Sequence, residues 1–293
     1  MKVIVAKSAG FCFGVERACE TVRSILPDDR VYLLGELIHN KRVMNEFIGL
    51  GAKIVNNIDE IPDGATVVIR AHGVPKAVLD KLSEKNIKIC DATCPYVKKI
   101  HKIVSEESGK GRKIIIFGKK EHPEVIGISG WCKDAVISMD ISEIPEKVGK
   151  NDQISIVAQT TVEKEKFYNY IKFLKNACNS LSIFDTICQA TKIRQNETVT
   201  IAQKSDLMVI IGGKNSSNTL ELYNKSKNVQ ENTILIEDLD SKSETPPDGE
   251  LNMLKNMLYT KTKKIKVVGV TAGASTPASS IEEVISVCQM KEF

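Results

Sequence analysis

One unit recurs nine times along this chain: a short β-branched run, a loop rich in Gly, Ser, Asn or Pro, and a charged stretch of helical spacing. The runs are Val3–Ala6, Val31–Leu34, Thr66–Ile69, Ile87–Cys90, Lys113–Phe117, Ile154–Val157, Leu181–Phe184, Leu207–Ile211 and Lys266–Val270. Ala135–Ser138 and Thr233–Ile236 are candidates for two more. The runs are apolar on both faces, as strands covered by helices on each side are. Strand alternating with helix predicts an α/β architecture with mainly parallel sheets and right-handed crossovers. At 293 residues the chain has room for two or three domains.

The loops after these runs carry the chemistry. Cysteines follow the first, fourth and seventh runs: Cys12 in SAGFCFGV, Cys94 in CDATCPYV and Cys188 in FDTICQAT. Histidines follow the second, third and fifth: His39 in GELIHN, His72 in RAHG and His122 in KKEHPE. Hydroxyls and amides follow the rest: Gln159, Thr160 and Thr161 in AQTT, Ser216, Ser217 and Asn218 in GGKNSSN, and Thr271, Ser275 and Thr276 in TAGAST. Parallel α/β sheets bind ligands at the carboxyl ends of their strands, and all nine loops leave from that end.

The three cysteines cut the chain into near-equal thirds, each holding one cysteine loop and two polar loops. This predicts three small α/β domains in a pseudo-threefold arrangement around a central iron–sulfur site. The boundaries expected are 13–93, 94–187 and 188–293, with segment 1–12 packing on the third domain. Three isolated thiolates complete neither a four-coordinate zinc cage nor a four-cysteine cluster cage. They suit a cubane with one iron left open, and such an iron is a Lewis acid beside a source of electrons.

Composition bounds the alternatives. Apolar residues at 42% and charged residues at 27% exclude a disordered chain. A net charge of +4 with 5% aromatics gives little for nucleic acid to bind. No apolar stretch approaches the roughly 20 residues of a membrane span. The N-terminal MKVIVAKSAGFCFGVER is broken by Lys7 and is no secretory signal, so a cytoplasmic protein is expected. Thiols there stay reduced. Cys19, Cys90, Cys132, Cys178 and Cys288 read as packing residues. GGKNSS lacks the glycine and hydroxyl spacing of a phosphate loop, and no dinucleotide fingerprint follows a strand.

The histidine, serine and asparagine loops offer neutral and cationic donors, and helix N-termini favour anions, which together suit a diphosphate. His101, in a helix-like stretch, reads as surface. Glu124 lies two residues past His122, with Pro123 suited to a first helical turn, and reads as a proton relay facing that cup.

Taken together, AGFCFGVERA, GELIHN, IRAHGVP, DATCP, HPEVIG, AQTT, KNSSNT and TAGAST closely resemble, in order, the signatures of the LytB/IspH family of 4-hydroxy-3-methylbut-2-enyl diphosphate reductases. The resemblance covers nearly the whole chain. It implies a 4Fe–4S cluster on Cys12, Cys94 and Cys188 and loss of an allylic hydroxyl as water, with two electrons and two protons. Isopentenyl and dimethylallyl diphosphate would be the products, in the last step of the non-mevalonate isoprenoid pathway. It also implies that His39, His72, His122, Ser216, Ser217, Asn218 and Ser275 bind the diphosphate, that Glu124 supplies protons, and that Thr160 positions the hydroxyl, a water and Glu124. Without a flavin or nicotinamide motif, an external donor such as ferredoxin or flavodoxin is implied. Lys41 and Glu121 depart from the family's usual Pro and Gly beside two site loops. Residues 238–264 match weakly and read as a surface connection. A quinolinate-synthase-like dehydratase is the nearest alternative, but its dicarboxylate would favour arginines, and only Arg70 lies in a candidate loop. A cluster-based sensor or RNA-binding protein would need a basic stripe or an added domain, and a zinc protein would differ in colour and iron content.

Overall fold

The computed structural model describes residues 1–26, 30–237, 249–259 and 265–290. The chain opens with β1 (Lys2–Val5) and α1 (Phe13–Ile25). Next come β2 (Val31–Leu34), α2 (Lys41–Gly49), β3 (Lys53–Val55), β4 (Thr66–Ile69), α3 (Lys76–Ser83) and β5 (Lys88–Asp91). The middle holds α4 (Pro95–Gly109), β6 (Lys113–Phe117), α5 (Pro123–Ser129), β7 (Val136–Ile137), α6 (Ile144–Lys147), β8 (Gln153–Ala158), α7 (Lys164–Ala177) and β9 (Ser180–Ile183). The last stretch is α8 (Gln189–Ala202), β10 (Leu207–Ile211), α9 (Ser217–Lys227), β11 (Thr233–Ile236), α10 (Glu250–Tyr259), β12 (Val267–Ala272) and α11 (Ala278–Gln289).

These strands form three four-stranded sheets, β3-β2-β4-β5, β7-β6-β8-β9 and β11-β10-β12-β1, with every pairing parallel. The order is the same in each: the first strand sits inside, the second at one edge, the third inside and the fourth at the other edge. The third sheet takes its fourth strand from the N-terminus, with Lys2–Val5 in register against Val267–Val270. The repeat is therefore threefold and cyclically permuted along the chain. A parallel sheet needs a covered connection between neighbours, which the intervening helices provide.

The chain divides into two compact units. One comprises Met1–Cys12, His39–Val43 and the described residues from Gln189 onward. Its sheet is packed on both faces. Leu207, Val209 and Ile211 meet Leu254 and Leu258 of α10 and Ile281 and Val284 of α11. Met208 and Ile210, pointing the other way along β10, meet Ile201 and Ala202 of α8 and Leu222 of α9.

The other unit comprises Phe13–Ile38 and Met44–Cys188 and holds two sheets. Ile114 and Ile116 of β6 pack with Ile100 and Val104 of α4 and Val125 and Ile128 of α5. Ile115 and Phe117, on the opposite face, pack with Phe167, Tyr170 and Leu174 of α7. Phe117 lies with its ring centroid 5.5 Å from that of Phe167 and 5.0 Å from that of Tyr170, both tilted, as aromatic quadrupoles favour. In the other sheet Tyr32, Leu34, Val67 and Ile69 meet Val74 and Leu82.

Several expectations need correction. β3 is an additional strand, whose three residues include an exposed Lys53 and give no clear period. The strands were expected to be buried on both faces, and the inner ones are; the edge strands β1, β5 and β9 are only half-covered, having a neighbour on one side. Residues 238–264, expected as a surface connection, fall partly outside the described residues, but 250–259 form α10 with Leu254 and Leu258 buried. His101 is not a surface residue: it is 5% exposed, with its ring stacked on Trp131 at 4.9 Å.

Candidate active site

The threefold topology puts the candidate residues on equivalent loops. The third strand of each sheet ends in a tight turn closed by a bond from residue four to residue one. Gly73 N–H donates to Arg70 O (3.0 Å), Val162 N–H to Gln159 O (3.4 Å) and Thr276 N–H to Gly273 O (3.1 Å). These turns carry His72, Thr160 and Ser275. The second residue of each turn offers its carbonyl to a cysteine. Cys94 N–H donates to Ala71 O (3.0 Å), Cys188 N–H to Thr160 O (3.1 Å) and Cys12 N–H to Ala274 O (3.1 Å).

The three cysteines are thus structural equivalents, each following a fourth strand and each directly preceding a helix: α1 after Cys12, α4 after Cys94 and α8 after Cys188. Helix N-termini favour negative charge, which suits thiolate ligands. The carboxylates of Asp91 and Asp185 accept from Thr93 N–H (2.9 Å) and Ile187 N–H (3.2 Å), shaping the approach to Cys94 and Cys188 alike. Gly14 leaves room at Cys94: a Cβ there would stand 2.6 Å from the Cys94 sulfur. All eight cysteines are thiols. Cys19, Cys178 and Cys288 are buried in helix packing, and desolvation pushes the Cys288 thiol up to about 11.

The first strand of each sheet leads to a capped helix. Asn40 accepts from Val43 N–H (3.0 Å), His122 Nδ1 from Glu124 N–H (3.1 Å) and Ser216 Oγ from Thr219 N–H (3.4 Å). Because Nδ1 of His122 accepts, the neutral ring carries its proton on Nε2, the donor side of the ring. His72 and His122 stand edge to face, ring centroids 5.5 Å apart.

Glu124, in the first turn of α5, is 3% exposed. One carboxylate oxygen accepts from Thr160 N–H (2.6 Å) and the other from Thr160 Oγ1 (2.7 Å). Burial pushes its pKa up and the two Thr160 bonds pull it down; burial wins. Gln159, the amide of the AQTT loop, ties the same two loops together. Its Oε1 accepts from Lys119 N–H (3.0 Å) and its Nε2 donates to Thr161 Oγ1 (3.0 Å).

The candidates fall into two groups. Cys94, Cys188, His72, His122, Glu124 and Thr160 belong to the unit with two sheets; Cys12, His39, Ser216, Ser217, Asn218 and Ser275 belong to the other. In the latter, Ser275 Oγ donates to His39 O (3.0 Å), and a Cβ on Gly213 would stand 3.1 Å from that carbonyl, so the loops after β10 and β12 both reach His39. Ser216, Ser217 and Asn218 are buried, and the Asn218 side-chain nitrogen has no protein partner. A buried donor without a partner is costly, so this nitrogen is a candidate donor to a bound group.

Residues 3–289 match the family described as LytB protein. The chain belongs to the LytB family. A relative from Clostridioides difficile (strain 630), named 4-hydroxy-3-methylbut-2-enyl diphosphate reductase, is 40% identical over 290 residues, 98% of each chain. One of the same name from Alkaliphilus oremlandii (strain OhILAs) is 41% identical over 288 residues, covering 97% of this chain and 98% of that one. Among solved structures, one described as (E)-4-hydroxy-3-methyl-but-2-enyl diphosphate reductase, the terminal enzyme of the non-mevalonate pathway, superposes with a TM-score of 0.70 at 36% identity and 99% coverage of both chains. The Plasmodium falciparum E-1-hydroxy-2-methyl-but-2-enyl-4-diphosphate reductase gives 0.86 at 27% identity, covering all of this chain and 89% of that one. This LytB chain has, among its described residues, no helix long and apolar enough to cross a membrane.

Proposed function

We propose that this LytB chain reduces 4-hydroxy-3-methylbut-2-enyl diphosphate to isopentenyl and dimethylallyl diphosphate with loss of water. The observation that carries the reading is the equivalence of Cys12, Cys94 and Cys188, each with its amide on the matching turn carbonyl and each opening a helix. The donor set fits a 4Fe–4S cluster: three cysteines of like backbone geometry, with the Cys94 side chain packed against Gly14, where any side chain would displace the sulfur. The same reading assigns 13–93, 94–187 and 188–293 with 1–12 to three domains, one around each sheet. When bound, such a cluster supplies two electrons, delivered singly, and an open Lewis-acidic iron for the allylic hydroxyl.

The chain's own residues do the rest. His39, His72, His122, Ser216, Ser217, Asn218 and Ser275 hold the diphosphate; the Nε2 proton of His122 and the unsatisfied Asn218 nitrogen are donors of the kind it needs. Binding energy at that remote group positions the reacting end. Glu124, whose burial favours the protonated form, delivers a proton to the departing hydroxyl. Thr160, bonded to both Glu124 oxygens, fixes the carboxyl and orients the hydroxyl. The second proton reaches the allyl carbon from the substrate's own diphosphate. Electrons come from a small redox protein such as ferredoxin or flavodoxin.

Anaerobic incubation of the reconstituted chain with the allylic diphosphate and an artificial one-electron reductant tests the proposal. Both C5 diphosphates are expected as products. A fully reconstituted chain that binds the substrate and releases neither would refute it.

A further inference from the structure

Two arginines bind the backbone of loops that end in the candidate cysteines. Arg17, on α1, lies five residues after Cys12, yet its guanidinium serves the loop before Cys94: Nη1 donates to Thr93 O (3.1 Å) and Nη2 to Asp91 O (3.4 Å). Arg194, on α8, lies six residues after Cys188 and serves the loop before Cys12. Its Nη1 donates to Gly10 O (2.8 Å) and to Ala272 O (2.7 Å). The two thus obey one rule: a guanidinium in the early turns of the helix after one cysteine holds carbonyls of the segment leading to another.

The bonds reach close to the thiols. Thr93 directly precedes Cys94, and Gly10 lies two residues before Cys12. Ala272 ends β12, two residues before the carbonyl that takes the Cys12 amide. One turn beyond Arg194, Glu197 finishes the hold on the Cys12 loop, accepting from Lys7 N–H (2.8 Å), Ser8 N–H (2.9 Å) and Ser8 Oγ (2.6 Å).

Arg194 is 3% exposed, and a buried guanidinium carries a desolvation cost. Its planar fork holds two carbonyls at once, and a permanent positive charge beside a cysteine loop favours a thiolate ligand and a reduced cluster. We infer that Arg17 and Arg194 are positioning residues for the cluster thiolates. They fix two of the three cysteine loops through their carbonyls and offset the negative charge that ligation and reduction bring. The inference rests on the cluster reading above.

The test uses the full chain, reconstituted anaerobically, as wild type and as Arg17→Gln, Arg17→Lys, Arg194→Gln and Arg194→Lys. Three quantities are read: iron loss to a ferrous chelator, the midpoint potential from an absorbance and EPR titration, and thermal unfolding of the apoprotein. The glutamine variants should lose iron about tenfold faster or more, the usual cost of removing a group that orients metal ligands. Their potentials should shift negative, since a lost cation disfavours the reduced state. The lysine variants, which keep the charge, should restore the potential while losing iron at intermediate rates. Glutamine variants with iron loss within twofold of wild type and an unchanged potential would overturn the inference. So would lysine variants as shifted in potential as the glutamine ones. If Arg194→Gln fails to fold, the half-buried Arg17 decides alone. A wild-type chain that takes up no iron–sulfur cluster would instead sink the parent reading, and that outcome is visible before any variant is made.

Discussion

Glu124 and Thr160 are joined by two hydrogen bonds, one from the Thr160 amide and one from its hydroxyl, each to a different carboxylate oxygen, at 2.6 and 2.7 Å. The pair joins the helix after a first strand to the turn after a third strand, and Thr160 also gives its carbonyl to Cys188. One threonine thus touches the proposed acid and the backbone of a proposed ligand. Glu124→Gln can keep the Thr160 amide bond through its oxygen and donate to the hydroxyl through its nitrogen. It should therefore retain cluster absorbance and substrate affinity while turnover falls at least ~100-fold, the lower range for loss of an acid catalyst. Single-turnover product formation checks this, and near-normal rates would remove Glu124 from the proton path.

The same carboxyl gives a stability signature independent of catalysis. Burial raises the folded-state pKa of Glu124 above its ordinary value, so the unfolded chain ionises first as pH rises. The contribution of Glu124 is fully present below the ordinary glutamate range and is lost as pH climbs towards the raised value. Apoprotein Glu124→Gln should then be more stable than wild type at pH 7, with the gap closing towards pH 4. Denaturant midpoints at both pH values measure it; a constant gap would contradict it.

Thr160→Val removes the hydroxyl bond and keeps the amide bond, whereas Thr160→Ser keeps both. Turnover should fall severalfold, up to about tenfold, in the valine variant, as expected when a buried neutral carboxyl loses a hydrogen bond of about 0.5–1.5 kcal/mol. The serine variant should stay within a few-fold of wild type. Parallel kinetics on the two variants, read as a split between kcat and KM, decide the matter.

Gly14→Ala would place a Cβ 2.6 Å from the Cys94 sulfur and 3.1 Å from its Cβ. Overpacking of this kind costs about 1–3 kcal/mol, and the displaced sulfur should bind iron poorly. Reconstitution should yield markedly less cluster than wild type while the apoprotein remains folded by circular dichroism. Full cluster content would show that Cys94 has more freedom than this packing allows.

His101 illustrates where sequence reasoning stops. Its helical stretch is charged, so a solvated face was the natural expectation, yet the ring stacks on Trp131, and burial, set against Asp91 and aided by Lys98, lowers its pKa to about 4. Distant segments create that pocket: Trp131 stacks on the ring, and Gly73 lies so close to it that a Cβ there would stand 2.6 Å from His101 Cε1. In an NMR titration its ring should stay neutral through pH 6, where an ordinary histidine is half protonated or more. Titration near pH 6.5 would contradict the burial.

The strands were legible because β-branched runs bounded by turn residues are a local signal; Val31–Leu34, Thr66–Ile69, Lys113–Phe117 and Leu207–Ile211 coincide with β2, β4, β6 and β10. Lys53–Val55 was not, since three residues define no period, and neither was α10, whose apolar face is read only against β10 and β12. The chemistry-bearing loops were legible as residue types. Their equivalence, through amide bonds from Cys12, Cys94 and Cys188 to Ala274, Ala71 and Thr160, needed the topology. The shared D-x-x-C of residues 91–94 and 185–188 was a usable sign of it. Arg17 and Arg194 carried none, because surface and buried arginines look alike in a helix sequence.

The central claim is that Cys12, Cys94 and Cys188 together hold one cluster. Iron and acid-labile sulfide analysis of the anaerobically reconstituted chain, beside Cys12→Ser, Cys94→Ser, Cys188→Ser and the control Cys178→Ala, tests it most directly. Wild type and the control should approach about four irons and four sulfides per chain, and each of the three serine variants should lose the intact cluster. A serine variant that keeps wild-type iron, sulfide and visible absorbance would contradict the account.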